Sequence, residues 1–328
     1  MSIYKKIVKF NLLWTLIVLI LVLGSLFVVY YKLLPSKIFF EDKKFKSIHM
    51  DKFVENKDLD IIFIGSSRTQ NQLSSNLFEK NGISVYNYGV PGMKISDFPF
   101  AVYKAVEKKP RYIFLNIELN DFYEKVNTMF QTYIDRKFFN SDFKYISSND
   151  YINENFRIKD IFRQIETYYK NHEINKFLNS YQKSYISGID CNAIYWRGNI
   201  LDRSVLFCDN GDGIIFNKQK LKTEKKDIDL KIKKINDEKI DILNRLIFTI
   251  KSNGIIPIVL LEPISYNTFY KYNKEYFNRV IDSKIIYLLD FQVNNANLWA
   301  DINHFNVIGR KIYSEKILNE FKEIQKVK

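Results

Sequence analysis

Histidine occurs three times in the 328 residues and cysteine twice. His49, His172 and His304 stand far apart with no paired ligand spacing, which argues against a zinc site. The acidic stretch "DNGDG" (Asp209 to Gly213) lacks the alternating ligand register and closing glutamate of a calcium loop, and reads as a polar turn. Neither a Walker loop nor the glycine fingerprint of a dinucleotide site is present. No metal and no cofactor are therefore expected. Long apolar runs are equally scarce: beyond residue 31 the longest is "IIPIVLL" (Ile255 to Leu261), which has strand length and contains a proline. The formal charge is +13, but the lysines are interleaved with acids, as in "EKKDIDLKIKKINDEKIDIL" (Glu224 to Leu243). That pattern describes a solvated helix face, and with no recognisable binding motif beside it nucleic acid is not an expected partner.

What is present begins with "FNLLWTLIVLILVLGSLFVVYY" (Phe10 to Tyr31), which carries no charge and is long enough to span a bilayer as a helix. A cleaved signal peptide would have a shorter apolar region and a small-x-small cleavage site, and no cysteine follows as in a lipoprotein. A retained anchor in the lipid bilayer is the expectation. Lys5, Lys6 and Lys9 precede the span and Lys32, Lys37, Lys43, Lys44 and Lys46 follow it, so positive charge alone leaves the orientation open.

The expected organisation is an N-terminal segment 1–9, a transmembrane helix 10–31, a charged stalk 32–57 and one domain over 58–328. "DIIFIG" (Asp60 to Gly65), "ISVYNYG" (Ile83 to Gly89) and "RYIFLNIE" (Arg111 to Glu118) are short, nearly continuous apolar runs, as in strands buried on both faces of a parallel sheet. "ISDFPFAVYKAVEKKP" between the last two has helical spacing and stops at Pro110. The alternation lapses over about 122–229, where helical patches such as "IKDIFRQIETYYK" predict a large, mainly helical insertion. It resumes with a helix near Leu230 to Ser252, the strands "GIIPIVLLEP" and "KIIYLLD", and a last helix whose Ile308, Ile312, Ile317, Leu318 and Phe321 line one face. The fold class is α/β: a three-layer sandwich around a five-stranded parallel sheet.

Open α/β sheets bind ligands outside the carboxyl ends of their strands. Those ends carry Gly65, Ser66, Ser67 and Arg68; Asn87, Gly89 and Gly92; and Glu118, Asn120 and Asp121. "DINH" (Asp301 to His304) lies ahead of the last helix. Acyl transfer through serine needs a hydroxyl, a base within hydrogen-bond reach, an acid that fixes the tautomer of the base, and donors aimed at the oxyanion. His304 would be the base and Asp301 the acid. Backbone N–H groups at the serine turn and at Gly92, with the Asn120 amide, would receive the oxyanion. Either serine of the turn could be the nucleophile on these grounds.

The order "FIGSSR", "NYGVPG", "ELND", "DINHF" resembles the SGNH (GDSL-type) hydrolase superfamily, from about Asp58 to the end of the chain but outside the anchor and the insertion. The resemblance implies a flavodoxin-like sandwich, Ser67 as nucleophile with Asp301 and His304, and an oxyanion hole of Ser67, Gly92 and Asn120. Three positions depart from the family: Ser66 stands for its aspartate, Arg68 for its leucine, and Glu118 for the glycine of its Gly-x-Asn-Asp block. Arg68, Glu118 and Asp121 become candidate substrate contacts. The Gly-Ser-Ser form is similar to the membrane-anchored cell-envelope branch, which includes D-alanine transfer and alginate O-acetylation proteins. That branch implies a serine O-acyltransferase or esterase acting on acyl groups of an envelope or exported polysaccharide, with a multi-span membrane acyltransferase as acyl donor. It also implies a cytoplasmic N-terminus and a periplasmic or extracellular domain, where a Cys191–Cys208 disulfide is favoured. The alternative is an inactive relative that binds glycan or serves as an assembly partner.

Overall fold

A computed structural model describes residues 2–33, 43–55, 58–126, 184–186, 191–200, 203–216 and 225–326, with single positions between them. The chain divides into two units, 1–40 and 41–328. The first holds α1 (Ser2–Leu33), 32 residues long. Its described side chains, residues 10–25, include Phe10 to Leu23, whose large apolar groups are exposed. Among the described residues no helix is long and apolar enough to cross a membrane, so the expected transmembrane helix 10–31 finds no support there.

The second unit starts with α2 (Lys43–Phe53) and continues through β1 (Ile61–Gly65), α3 (Ser67–Gln72), α4 (Ser75–Glu79), β2 (Val85–Gly89), α5 (Phe98–Glu107) and β3 (Tyr112–Glu118). Next come β4 (Ser184–Ile186), β5 (Cys191–Ile200), β6 (Arg203–Cys208), β7 (Gly213–Ile215) and β8 (Lys226–Asp229). The chain closes with α6 (Asp237–Ser252), β9 (Ile256–Glu262), β10 (Thr268–Lys271), α7 (Lys274–Val280), β11 (Lys284–Tyr287) and α8 (Val307–Lys326).

The main sheet runs β2-β1-β3-β9-β11 with every pairing parallel. Period-two alternation divides its side chains between two cores. Ile62, Ile64, Ile113, Leu115, Val259 and Leu261 pack with α5 and α6, whereas Ile61, Phe63, Phe114, Ile258 and Leu260 pack with α4 and α8. The expected five strands and sandwich are present. β1 has β2 on one side and β3 on the other, so the chain reverses its direction of travel across the sheet there. In such sheets that reversal opens a crevice at the carboxyl ends of the strands.

Two expectations need correction. The described part of the insertion is mostly strand rather than mainly helical: β4, β5, β6 and β7 form an antiparallel four-stranded sheet, while Phe138 and Asn179 lie in helical backbone. Its strands are β-branched and aromatic, and Cys191 and Cys208, on neighbouring strands, are joined in a disulfide. The helical patch at 158–170 lies outside the described residues. The stalk, in turn, gives way at Lys43 to a helix of the domain, α2, which buries Phe45 and Met50 together with Lys43, Lys46 and His49. Its charge misled because Lys46 Nζ reaches backbone carbonyls: Asn87 O at 3.2 Å, and Gly211 O. Burial pushes this amine down to about 7, against the pull of Asp212.

Candidate active site

β1 ends in Gly65 because nothing larger fits: a Cβ there would lie 2.0 Å from Thr69 Oγ1 and 2.9 Å from Asn116 Cβ. Gly89 is equally constrained, its Cβ position lying 2.3 Å from the Gln70 nitrogen. The two glycines let the short helix α3 lie against the sheet edge and fix where its first residue sits.

The two serines then separate. Ser66 is the N-cap of α3; its hydroxyl accepts from Arg68 N at 3.2 Å and points inward, with Glu262 Oε1 3.5 Å away. Ser67 opens the helix and turns outward, its Oγ 3.0 Å from His304 Nε2. His304 Nδ1 lies 3.0 Å from each oxygen of Asp301. Asp301, His304 and Ser67 form one relay. A carboxylate offers only acceptors, so the contact with Asp301 puts the ring hydrogen on Nδ1 and leaves Nε2 to accept from the Ser67 hydroxyl. Asp301 is 1% exposed and also shapes its own loop, Oδ1 accepting from Asn303 N at 2.7 Å and His304 N at 3.0 Å.

No family model and no curated protein matches the chain. Among solved structures it is similar to the acetyl xylan esterase AlAXEase, with 12% identity over 79% of this chain and 98% of that one, at a TM-score of 0.37. It is also similar to a protein from Streptococcus pneumonia provisionally described as a platelet activating factor, with 11% identity over 89% and 98% of the two chains and a TM-score of 0.37.

The other expected residues divide between the crevice and the interior. Gly92 occupies a turn closed by Met93 N to Val90 O at 3.1 Å; its φ of +74° is the left-handed value that favours glycine after proline. Asn120 sits in the turn after β3, where its Nδ2 donates to Tyr270 Oη at 3.2 Å. Both positions flank the end of β1. Asp121 is engaged within the fold: Oδ1 pairs with the buried Lys239 at 2.7 Å and Oδ2 accepts from Ile95 N at 2.6 Å. Both its oxygens are occupied inside the fold.

Arg68 is likewise engaged by its neighbours. Its guanidinium pairs with Glu118, and its Nε and Nη2 donate to the Ile264 carbonyl at 2.9 and 2.7 Å. The arginine and the glutamate, each beside the serine turn, therefore neutralise each other. Glu118, with 30% of its side chain exposed, keeps access to the crevice, while Arg68 at 10% does not.

Two residues of the site were not anticipated. Tyr270, on β10, holds Asn120, and burial raises its pKa. Glu262 ends β9 and is fully buried. Like the polar residues at the ends of β1, β2 and β3, Glu262 stands at the carboxyl end of a strand of the main sheet.

Proposed function

We propose that this chain is a serine esterase or O-acyltransferase that works through an acyl-Ser67 intermediate. The observation that carries the reading is the Asp301–His304–Ser67 relay, with 3.0 Å at each junction. Ser67 Oγ attacks the acyl carbonyl carbon while His304 Nε2 takes its proton. The oxyanion is received by the N–H groups of Ser67 and Gly92 and the amide of Asn120. Collapse breaks the ester bond, and the leaving alkoxide takes the proton from His304. A sugar hydroxyl or water then attacks the acyl-serine, its proton passing through His304 back to Ser67 Oγ.

Substrate and location rest on the resemblance to the envelope branch: acyl groups of an exported or envelope polysaccharide, a multi-span acyltransferase as donor, and an anchor made by α1. The anchor has physical support. Thirty-two helical residues reach about 48 Å at 1.5 Å per residue, and the described large side chains are apolar and exposed on consecutive positions. Thr15 and Ser25 turn their hydroxyls onto the carbonyls of Asn11 and Leu21, as polar groups in lipid must.

The test of the enzyme is labelling of the full chain by a fluorophosphonate probe. Wild type and Ser66→Ala are expected to label and Ser67→Ala is not. An unlabelled wild type, beside an esterase that labels, would favour the inactive assembly partner instead. Orientation is read separately: a reporter fused after Lys328 should be active only outside the cytoplasm, and activity confined to the cytoplasm rejects export.

A further inference from the structure

Glu262 is fully buried at the carboxyl edge of the sheet, directly under the serine turn. Ser66 Oγ lies 3.5 Å from its Oε1 and Thr69 Oγ1 lies 3.4 Å from its Oε2. These hydroxyls stand on either side of Ser67 and Arg68, so the nucleophile's turn is held from below at two points by one carboxyl group. The groups around it come from three elements. β3 brings Glu118, its register partner; α3 brings Arg68, already paired with Glu118; and α8 brings the buried phenol of Tyr313.

We propose that Glu262 is a positioning residue for Ser67, accepting from the Ser66 cap and from Thr69, and that the negative charge it takes on when ionised, buried beneath the serine turn, opposes the oxyanion and slows acyl-serine formation. The inference rests on the serine-enzyme reading above. Both hydroxyls donate to its two oxygens, so one carboxyl group ties the cap to Thr69, and in its neutral state it does so without placing a charge under the serine turn. Ser66 in turn caps α3 at Arg68 N, which sets the backbone from which Ser67 leaves the sheet. Glu262 never touches the reacting atoms; it acts through Ser66 and Thr69.

Burial pushes the pKa of Glu262 up to about 8, with the charge of Glu118 adding to the rise and Arg68, Thr69 and Ser66 opposing it. The sign follows directly. Below that value the group is neutral. As pH rises through it the proton leaves, and a negative charge appears beneath the turn whose N–H is to receive an oxyanion.

The experiment is the inactivation rate of the full chain by a fluorophosphonate between about pH 6 and 10, for wild type, Glu262→Gln and Glu262→Leu. The wild-type rate should fall by about tenfold per pH unit on the alkaline side. Glu262→Gln, which mimics the neutral acid, should lose this fall. Glu262→Leu, which can hold neither hydroxyl, should be slower than Glu262→Gln at every pH. If the leucine variant does not fold, the glutamine variant decides alone. An alkaline fall that persists unchanged in Glu262→Gln overturns the inference while leaving the enzyme intact. A wild type that reacts at no pH overturns the enzyme reading itself.

Discussion

Replacing Ser67 with alanine is expected to lower kcat for a simple ester such as p-nitrophenyl acetate by on the order of 10⁴-fold or more. His304→Ala should cost about as much, and the double variant no more than either alone, because the two groups perform one step between them. Asp301→Asn is the more revealing change. A carboxamide can donate to Nδ1, which favours the tautomer with its hydrogen on Nε2, facing Ser67 Oγ where a base is required. The cost is again expected to be on the order of 10⁴-fold in kcat, with the fold intact by circular dichroism. Ser66→Ala removes an N-cap, worth about 1 kcal/mol of stability, and should leave the acyl-serine chemistry with a nucleophile. Steady-state kinetics on the five variants decide the matter. Turnover retained by Ser67→Ala would remove Ser67 from the mechanism, whatever its distance from His304.

The second large effect concerns stability. Arg310, buried on α8, donates to Asp212 Oδ2 at 2.5 Å, and the same carboxylate accepts from Ser75 N at 2.8 Å, Ser75 Oγ at 2.7 Å and Asn87 Nδ2 at 2.9 Å. One side chain from the "DNGDG" turn therefore ties together α4, α8 and β2. Burial lowers the pKa of Arg310 while Asp212 supports its charge. Asp212→Ala leaves that charge buried without its counter-ion, at a cost of roughly 3–5 kcal/mol. At about 2–4 °C per kcal/mol for a domain of this size, the melting temperature should drop by on the order of 10 °C. Replacing both partners, Asp212→Leu with Arg310→Met, should recover much of the loss, since no unpaired charge remains. A thermal melt of Asp212→Ala within about 2 °C of wild type would mean that water or another group takes over the arginine. The turn that lacks a calcium register is thus an internal anchor.

The five parallel strands were legible because burial on both faces leaves them as unbroken apolar runs between glycine or proline stops. The triad was legible because its serine follows one such run and its Asp-x-x-His precedes the last helix. What escaped was governed by pairing between distant residues. Arg68 and Glu118 each look like a charge beside a site, and only their contact shows that they neutralise each other. Lys46 reads as a solvated lysine until its amine is seen against Gly211 O, far along the chain. The strands of the insertion escaped for a local reason. β4 and β7 span three residues each, too few for a period-two pattern to emerge, and in the β5–β6 pair register shifts between Ala193 and Tyr195 and between Arg197 and Ile200 break the alternation.

The fate of Asn87 has a consequence for the chain's behaviour among its own copies. β2 is an outermost strand of the main sheet, and a bare outer strand invites another chain to pair with it. Here the Asn87 N–H donates to Asn210 O at 2.9 Å and its carbonyl receives Lys46 Nζ at 3.2 Å. A helix from before the sheet and a disulfide-tethered turn from beyond it close that border together. A neighbouring copy that approaches this border then meets Asn87 with its backbone groups already taken.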